Sequence, residues 1–269
     1  KGILQDMATH ASFQSNTSLS GKKPNILLIM NESLADFSLV GDMRYNMDPL
    51  PFIHSLKKNT IKGRDYVSVF GAGTSNSEFE AMTGNTMAFF PSGCNVYQQF
   101  MHDSTFSLPS YLKEMGYSCK AVHPSSGANW NRVATYKSMK FDDFITIDNF
   151  KKPEYVRYIS DKESYKKVIE LYEKKGDKPL YLFDMTIQNH GGYLIADKNF
   201  KEEIKIKDEK ATDTANRYLS LIHESDRAFE KIINYFKNQK EPTIVVMFGD
   251  HQPKLEDSFY ELLYGKSLS

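Results

Sequence analysis

The stretch "VVMFGDHQP", residues 245–253, decides how the rest of the chain is read. A continuous apolar run ends abruptly in Gly249, Asp250 and His251. Apolar residues without alternation suit a strand covered on both faces, which is the environment of a parallel sheet in an α/β protein. A carboxylate and an imidazole at the end of such a strand have two readings. They form a polar turn, or they are two ligands of one metal site.

Working outward, the chain alternates short β-branched or apolar runs with segments of helical period, the pattern of βαβ units. Strands are expected at 25–30 ("NILLIM"), 63–69, 118–123, 144–147, 180–187 ("LYLFDMTI") and 243–248. Helices are expected at 49–59, 75–82, 107–115, 132–139, 161–174 and 214–237. In the last of these Tyr218, Leu219, Ile222, Phe229, Ile232, Ile233 and Phe236 make one apolar stripe. The expected fold is α/β, a central, mostly parallel sheet flanked by helices on both faces.

That layout places the polar residues. Asn31 and Glu32 follow the first strand, His123 ends the third, Asn189 and His190 follow the fifth, and Asp250 and His251 follow the sixth. Open α/β sheets bind ligands outside the carboxyl ends of their strands. Several strands delivering such side chains to one edge favour a site over a set of unrelated loop residues.

Bulk properties narrow the function. The 269 residues are 40% hydrophobic and 25% charged, ordinary for a globular domain, and 34 Lys+Arg balance 34 Asp+Glu. No basic field of the kind that binds nucleic acid is present. Cys94 and Cys119 are too few for a disulfide framework or a cysteine-based zinc site. No apolar run reaches the ~18–20 residues of a membrane span. Residues 1–23 are polar and aperiodic and read as a linker, leaving 24–269 as the folded part, long enough for one large domain or two small ones.

"GAGTSNSEFEAMTG", residues 71–84, carries the most chemistry. Gly71, Ala72 and Gly73 let the backbone approach a ligand closely. Ser75 and Glu78 have capping-box spacing, which predicts a helix starting at Ser75. Thr74 then stands at a helix N-terminus, where an anion or developing alkoxide is favoured. It is either a nucleophile or part of the cap. A hydroxyl needs activation by a base or a metal. Glu32, Asp250 and His251, with Thr74 as a fourth ligand, offer the mixed oxygen and nitrogen set that suits Mn²⁺ or Zn²⁺ better than Ca²⁺. "HPSSGANWNR", residues 123–132, adds His123, a guanidinium fork at Arg132 and the single tryptophan, Trp130, which is either a ligand wall or a packing residue. His190 in "QNHGGY" is followed by two glycines that leave its ring uncrowded.

The ordered set "NILLIMNES", "GAGTSNSEFE", "HPSSGANWNR", "QNHGGY" and "FGDHQP" resembles the lipoteichoic acid synthase group of phosphoglycerol transferases, in the sulfatase-like branch of the alkaline phosphatase superfamily. The resemblance implies that Glu32, Thr74, Asp250 and His251 bind one Mn²⁺, with Mg²⁺ or Zn²⁺ as substitutes, and that Thr74 is covalently modified. It implies that His123, Trp130, Arg132 and His190 surround the phosphoglycerol group. The implied donor is a phosphatidylglycerol-like lipid and the acceptor a glycolipid or teichoic-acid-like polymer. The implied setting is extracellular, with membrane attachment through a preceding segment. Family domains continue past the "GDH" strand, so a C-terminally truncated domain is expected. Ser125 stands where relatives often have an acidic residue.

Four rivals remain at this level, one of them a two-zinc phosphatase, which would need a second set of Asp/His ligands that this chain does not show. A sulfatase would need a C/S-x-P-x-R segment, which neither cysteine begins. A phosphoethanolamine transferase or related phosphodiesterase shares the metal-bound threonine. A catalytically silent binding domain would not require the full ligand set.

Overall fold

The computed structural model describes residues 21–102, 105–194 and 200–268. The expected linker therefore lies outside the described residues except for 21–23. Five strands form one parallel sheet: β1 (Asn25–Asn31), β2 (Ser118–Val122), β3 (Asp143–Ile145), β4 (Leu180–Met185) and β5 (Thr243–Gly249), in the order β3-β2-β4-β1-β5. Because all strands run the same way, every carboxyl end lies at one edge. That edge is where the sequence puts its candidate ligands.

Helices cover both faces: α1 (Pro51–Ser55), α2 (Thr74–Thr83), α3 (Val96–Gln99), α4 (Leu108–Glu114), α5 (Arg132–Ser138), α6 (Asp161–Glu173), α7 (Asp213–Lys237) and α8 (Asp257–Tyr264). The period of two along β1 sorts its side chains. Leu27 and Ile29 pack with Tyr165, Val168, Phe229 and Ile232 of α6 and α7, whereas Met30 packs with Phe79, Met82 and Tyr136 of α2 and α5. Central β4 is buried at every position. The stripe on α7 is as expected, with Tyr218, Leu219, Ile222, Phe229 and Ile232 buried. Burial of each large apolar side chain stabilises the fold by about 1.5–3 kcal/mol. Thr212 caps α7 by accepting from the Ala215 N–H, and Ser160 caps α6 through the Glu163 N–H.

Four expectations change. Residues 63–69 form no strand and pair with no ladder among the described residues, because the run is mostly exposed and offers too few apolar side chains to cover a face. The helix expected at 49–59 is the single turn α1. β5 is an edge strand covered on one face only, with Ile244 50% and Val246 43% exposed. Finally, α2 starts at Thr74, behind Gly73 at φ 98°, and no side chain caps it. Gly71 (φ 67°) and Gly73 both occupy left-handed backbone. A Cβ at these positions would meet Lys254 and Val69, so the glycines serve the turn itself.

Candidate active site

The register of β1 against β5 builds the centre. Asn31 pairs with Gly249, so the next residues, Glu32 and Asp250, emerge side by side. Gly249 is required there, since a Cβ would lie 2.0 Å from the Leu34 carbonyl oxygen. Ser33, at φ 51°, turns the chain so that its N–H donates to Asp250 Oδ1 at 2.7 Å and its hydroxyl to Glu32 Oε1 at 2.8 Å. The Glu32 N–H is held by Thr186 Oγ1 at 3.1 Å.

Glu32, Asp250 and His251 are all buried, and each offers a ligand atom within 4.8 Å of the other two. The His251 ring donates from Nδ1 to the Gln252 carbonyl at 2.9 Å, which turns Nε2 toward the two carboxylates. Nε2 stands 3.2 Å from Asp250 Oδ2 and 3.9 Å from Glu32 Oε1, and Asp250 Oδ2 is buried with no hydrogen-bond partner. Burial first, and the Asp250 charge next, hold Glu32 well above the usual carboxylate range. Three electron-rich groups packed face to face are unfavourable by themselves and become favourable around a divalent cation. The donor set fits such an ion.

Helix α2 approaches the centre with Thr74 in its first position, 9% exposed. Two bonds tie it to the end of β5: the Ser77 hydroxyl donates to the Asp250 carbonyl at 2.6 Å, and the Gly71 N–H to the Gln252 carbonyl at 3.0 Å. Ser75 and Glu78 do not form the expected capping box. The Ser75 hydroxyl accepts from Asn95, and Glu78 points inward to Arg132. Arg132 donates to Glu78 Oε1 from Nε at 2.9 Å and from Nη2 at 2.5 Å, while Tyr136 donates to Oε2 at 2.6 Å. Burial works against the Arg132 charge, and the Glu78 carboxylate more than offsets it.

His123, just beyond β2, is buried and donates from Nδ1 to the Met185 carbonyl at 3.0 Å. Burial, then the Arg132 charge, lower its pKa to about 3, so it is a neutral imidazole presenting Nε2 as an acceptor. His190 follows β4, edge-on to Tyr158 at 5.3 Å. Burial lowers its pKa as well, and among its further influences Asp250 raises and His251 lowers it. The Arg132 charge acts on both Glu32 and His123. Trp130 is 37% exposed and, like Asn131, sits in left-handed backbone (φ 58° and 60°), an uncommon conformation for a tryptophan.

Several supporting residues escaped the sequence reading. Ser33 was visible only as the last letter of "NES", and Ser77 as one of several serines in α2. A buried network joins the ends of β1 and β4: Asn31 donates to Asp161 Oδ2 at 2.7 Å and accepts from Asn189 at 3.1 Å, while Ser225 donates to the same Asp161 oxygen at 2.6 Å. Asn31 and Asn189 were expected at the ligand edge, but Asp161 and Ser225 come from distant parts of the chain, and no local pattern marks them.

Fold and side-chain geometry define a class: a parallel α/β domain with a buried carboxylate–imidazole cluster at its carboxyl edge and a helix tied to the same edge through Ser77. The chain belongs to the Sulfatase family, whose sequence profile matches residues 24–268. A putative cyclic beta-1,2-glucan modification protein of Rhizobium meliloti is 31% identical over 250 residues, covering 92% of this chain and 38% of that protein. The phosphoglycerol transferase GacH of Streptococcus pyogenes, solved with sn-glycerol-1-phosphate, has the same fold with a TM-score of 0.75 and 24% identity, over 91% of this chain and 66% of that one. The lipoteichoic acid synthase LtaP of Listeria monocytogenes superposes with a TM-score of 0.73 at 19% identity, over 87% and 57%. The chain thus spans less than half of that curated relative and about two thirds or less of these solved structures.

Proposed function

We propose that this domain is a metal-dependent phosphoglycerol transferase that moves the headgroup of a phosphatidylglycerol-like lipid onto a carbohydrate hydroxyl of a cell-envelope polymer or glycolipid. The observation that carries the reading is His251 Nε2 facing both the unpartnered Asp250 Oδ2 and Glu32 Oε1 in a buried cluster. Glu32, Asp250 and His251, with Thr74, would hold a divalent cation, Mn²⁺ in preference by its mixed donors. When bound there, the ion supplies charge stabilisation to phosphoryl oxygens and lowers the pKa of a nearby hydroxyl.

The protein's own groups divide the remaining work. Thr74 attacks the phosphorus of the headgroup diester, and the bond to the diacylglycerol oxygen breaks. The resulting phosphoglycerol-threonine is then displaced by the acceptor hydroxyl. Splitting the transfer in two lets the lipid product leave before the acceptor enters the same site. Arg132 holds phosphoryl oxygen through the part of its fork that Glu78 leaves free. His123, neutral and accepting at Nε2, receives a glycerol hydroxyl, His190 binds from the β4 side, and Trp130 walls the pocket. The carbohydrate acceptor is supported by the names of the relatives, which concern a cyclic glucan and lipoteichoic acid. An extracellular, membrane-attached setting follows from the lipid donor. Among the described residues no helix is long and apolar enough to cross a membrane, so attachment would lie elsewhere.

The deciding experiment is mass spectrometry of the Thr74 peptide after incubation with phosphatidylglycerol and Mn²⁺, with phosphatidylethanolamine in a parallel arm. A phosphoglycerol adduct on Thr74 is expected. An adduct only from phosphatidylethanolamine would make the protein a phosphoethanolamine transferase. No adduct, with transfer still proceeding in Thr74→Ala, would sink the covalent route.

A further inference from the structure

The Arg132–Glu78 pair is almost wholly buried, with 2% and 0% of the two side chains exposed, and the Arg132 charge reaches Glu32 of the proposed cation site. Glu78 receives the Nε edge of the guanidinium on one oxygen and Tyr136 on the other. Among the described residues no hydrogen bond engages Arg132 Nη1. Glu78 also lies one helical turn from Thr74 on α2, so residues i and i+4 share a face. One short helix therefore carries both the candidate nucleophile and the group that orients the guanidinium. Arg132 belongs to a different helix, α5, reached through the left-handed pair Trp130–Asn131.

Two physical consequences follow. First, the edge of the fork that could grip two phosphoryl oxygens is already taken, which leaves one nitrogen for a ligand. Second, the guanidinium charge is cancelled where it stands. Three carboxylates, Glu32, Asp250 and Glu78, stand against Arg132 and a divalent cation, and buried Asp161 acts on Glu32 as well, so no surplus positive charge is left for the ligand. In a buried site an uncompensated extra charge is costly. A phosphodiester brings one negative charge. A phosphomonoester brings close to two above its second pKa of about 6.

We propose that Glu78 is a positioning and specificity-determining residue: by pairing with Arg132 it fixes which guanidinium nitrogen faces the substrate and removes the surplus positive charge that a phosphomonoester dianion needs. The inference rests on the phosphoryl-transfer reading of the site and assigns its preference for diesters to one residue. It involves no change in the bonds made or broken.

The test uses the Mn²⁺-loaded protein and two probes, glycerol phosphate and its methyl diester, with binding followed by calorimetry at about pH 8, where the monoester is a dianion. Wild type should prefer the diester. Glu78→Gln keeps the shape and removes the charge, and should move the affinity ratio toward the monoester by about tenfold or more. Glu78→Asp keeps the charge but draws the carboxylate back, so its ratio should stay near wild type while its kcat on a lipid diester falls at unchanged KM. A folded Glu78→Gln protein with an unchanged ratio overturns the proposal and leaves the transferase reading intact. Binding of neither probe by wild type overturns both. If Glu78→Gln does not fold, wild type decides. Its affinity for the monoester, relative to the diester, should fall as pH rises through about 6, and a constant relative affinity overturns the proposal.

Discussion

His251 Nε2 stands 3.2 Å from Asp250 Oδ2 while its Nδ1 hydrogen is committed to the Gln252 carbonyl. Nε2 so placed faces a carboxylate oxygen that has no hydrogen-bond partner, an arrangement that suits a cation held between them. Mn²⁺ should therefore bind and stabilise the fold. Linkage gives about 2.7 kcal/mol at a free ion concentration a hundred times Kd. A thermal melt with and without chelator should show a metal-dependent rise in Tm, and Asp250→Asn should remove most of it. Equal Tm values with and without Mn²⁺ in the wild-type protein would exclude the centre.

Arg132→Ala should cost more than activity. It leaves the Glu78 carboxylate buried without its counter-charge, a change that typically destabilises by about 3–5 kcal/mol. Urea unfolding of the variant measures this directly. A loss below about 1 kcal/mol would mean that water reaches Glu78 and the pair is not sealed.

Thr74→Ala, by contrast, should fold as well as wild type. Gly73 precedes the helix and no side chain caps it, so the substitution removes no cap. A change in stability well below the ~1 kcal/mol of a lost cap is expected, together with loss of phosphoglycerol transfer. Thr74→Ser should retain part of the transfer, since it keeps the hydroxyl.

Gly249 and Gly63 make a matched pair. An added Cβ at Gly249 would collide with the Leu34 carbonyl at 2.0 Å, whereas at Gly63 it meets nothing within 4 Å. Gly249→Ala should destabilise by about 1–3 kcal/mol, as overpacking does, and weaken Mn²⁺ binding by displacing the loop that carries Glu32 and Ser33. Gly63→Ala should leave both properties unchanged. Equal melting curves for the two variants would show that the loop yields without cost.

His54 gives the fold a pH dependence away from the centre. Its ring bonds Asp48 Oδ2 at 2.8 Å and Asp36 Oδ2 at 2.9 Å, a pairing that needs both nitrogens protonated. Burial opposes the charge, but the hydrogen bonds to Asp36 and Asp48 outweigh it and raise the pKa above its ordinary value. A raised folded pKa contributes stability that is complete below the unfolded pKa of about 6.5 and lost as pH rises through the folded value. The groups are partly exposed, so the contribution should not exceed about 1 kcal/mol. Urea midpoints of wild type and His54→Gln should converge as pH rises above that range. A gap that widens instead would reverse the assignment.

The residues of the buried Glu32–Asp250–His251 cluster were legible because they directly follow strands. Apolar runs fix the strands, parallel strands end at one edge, and the letters after "NILLIM" and "VVMF" are therefore brought together by register alone. The helix of Thr74 was legible for a similar reason, since its glycines and its period are properties of neighbouring residues. What only the tertiary structure decided is which partners those side chains take. Glu78 has the spacing of a cap and is instead the counter-charge of Arg132, 54 positions away, because burying a guanidinium requires a carboxylate and α2 supplies the nearest one. β5 has the composition of a strand covered twice and lies at an edge, because coverage depends on what packs beside a strand and not on its own letters. Asn31 and Asn189 were legible as strand-end residues, but their partners were not, and Ser33 carries no local pattern at all. Their hydrogen bonds form only when β1, β4 and β5 end together, and the buried polar groups left there must pair with one another.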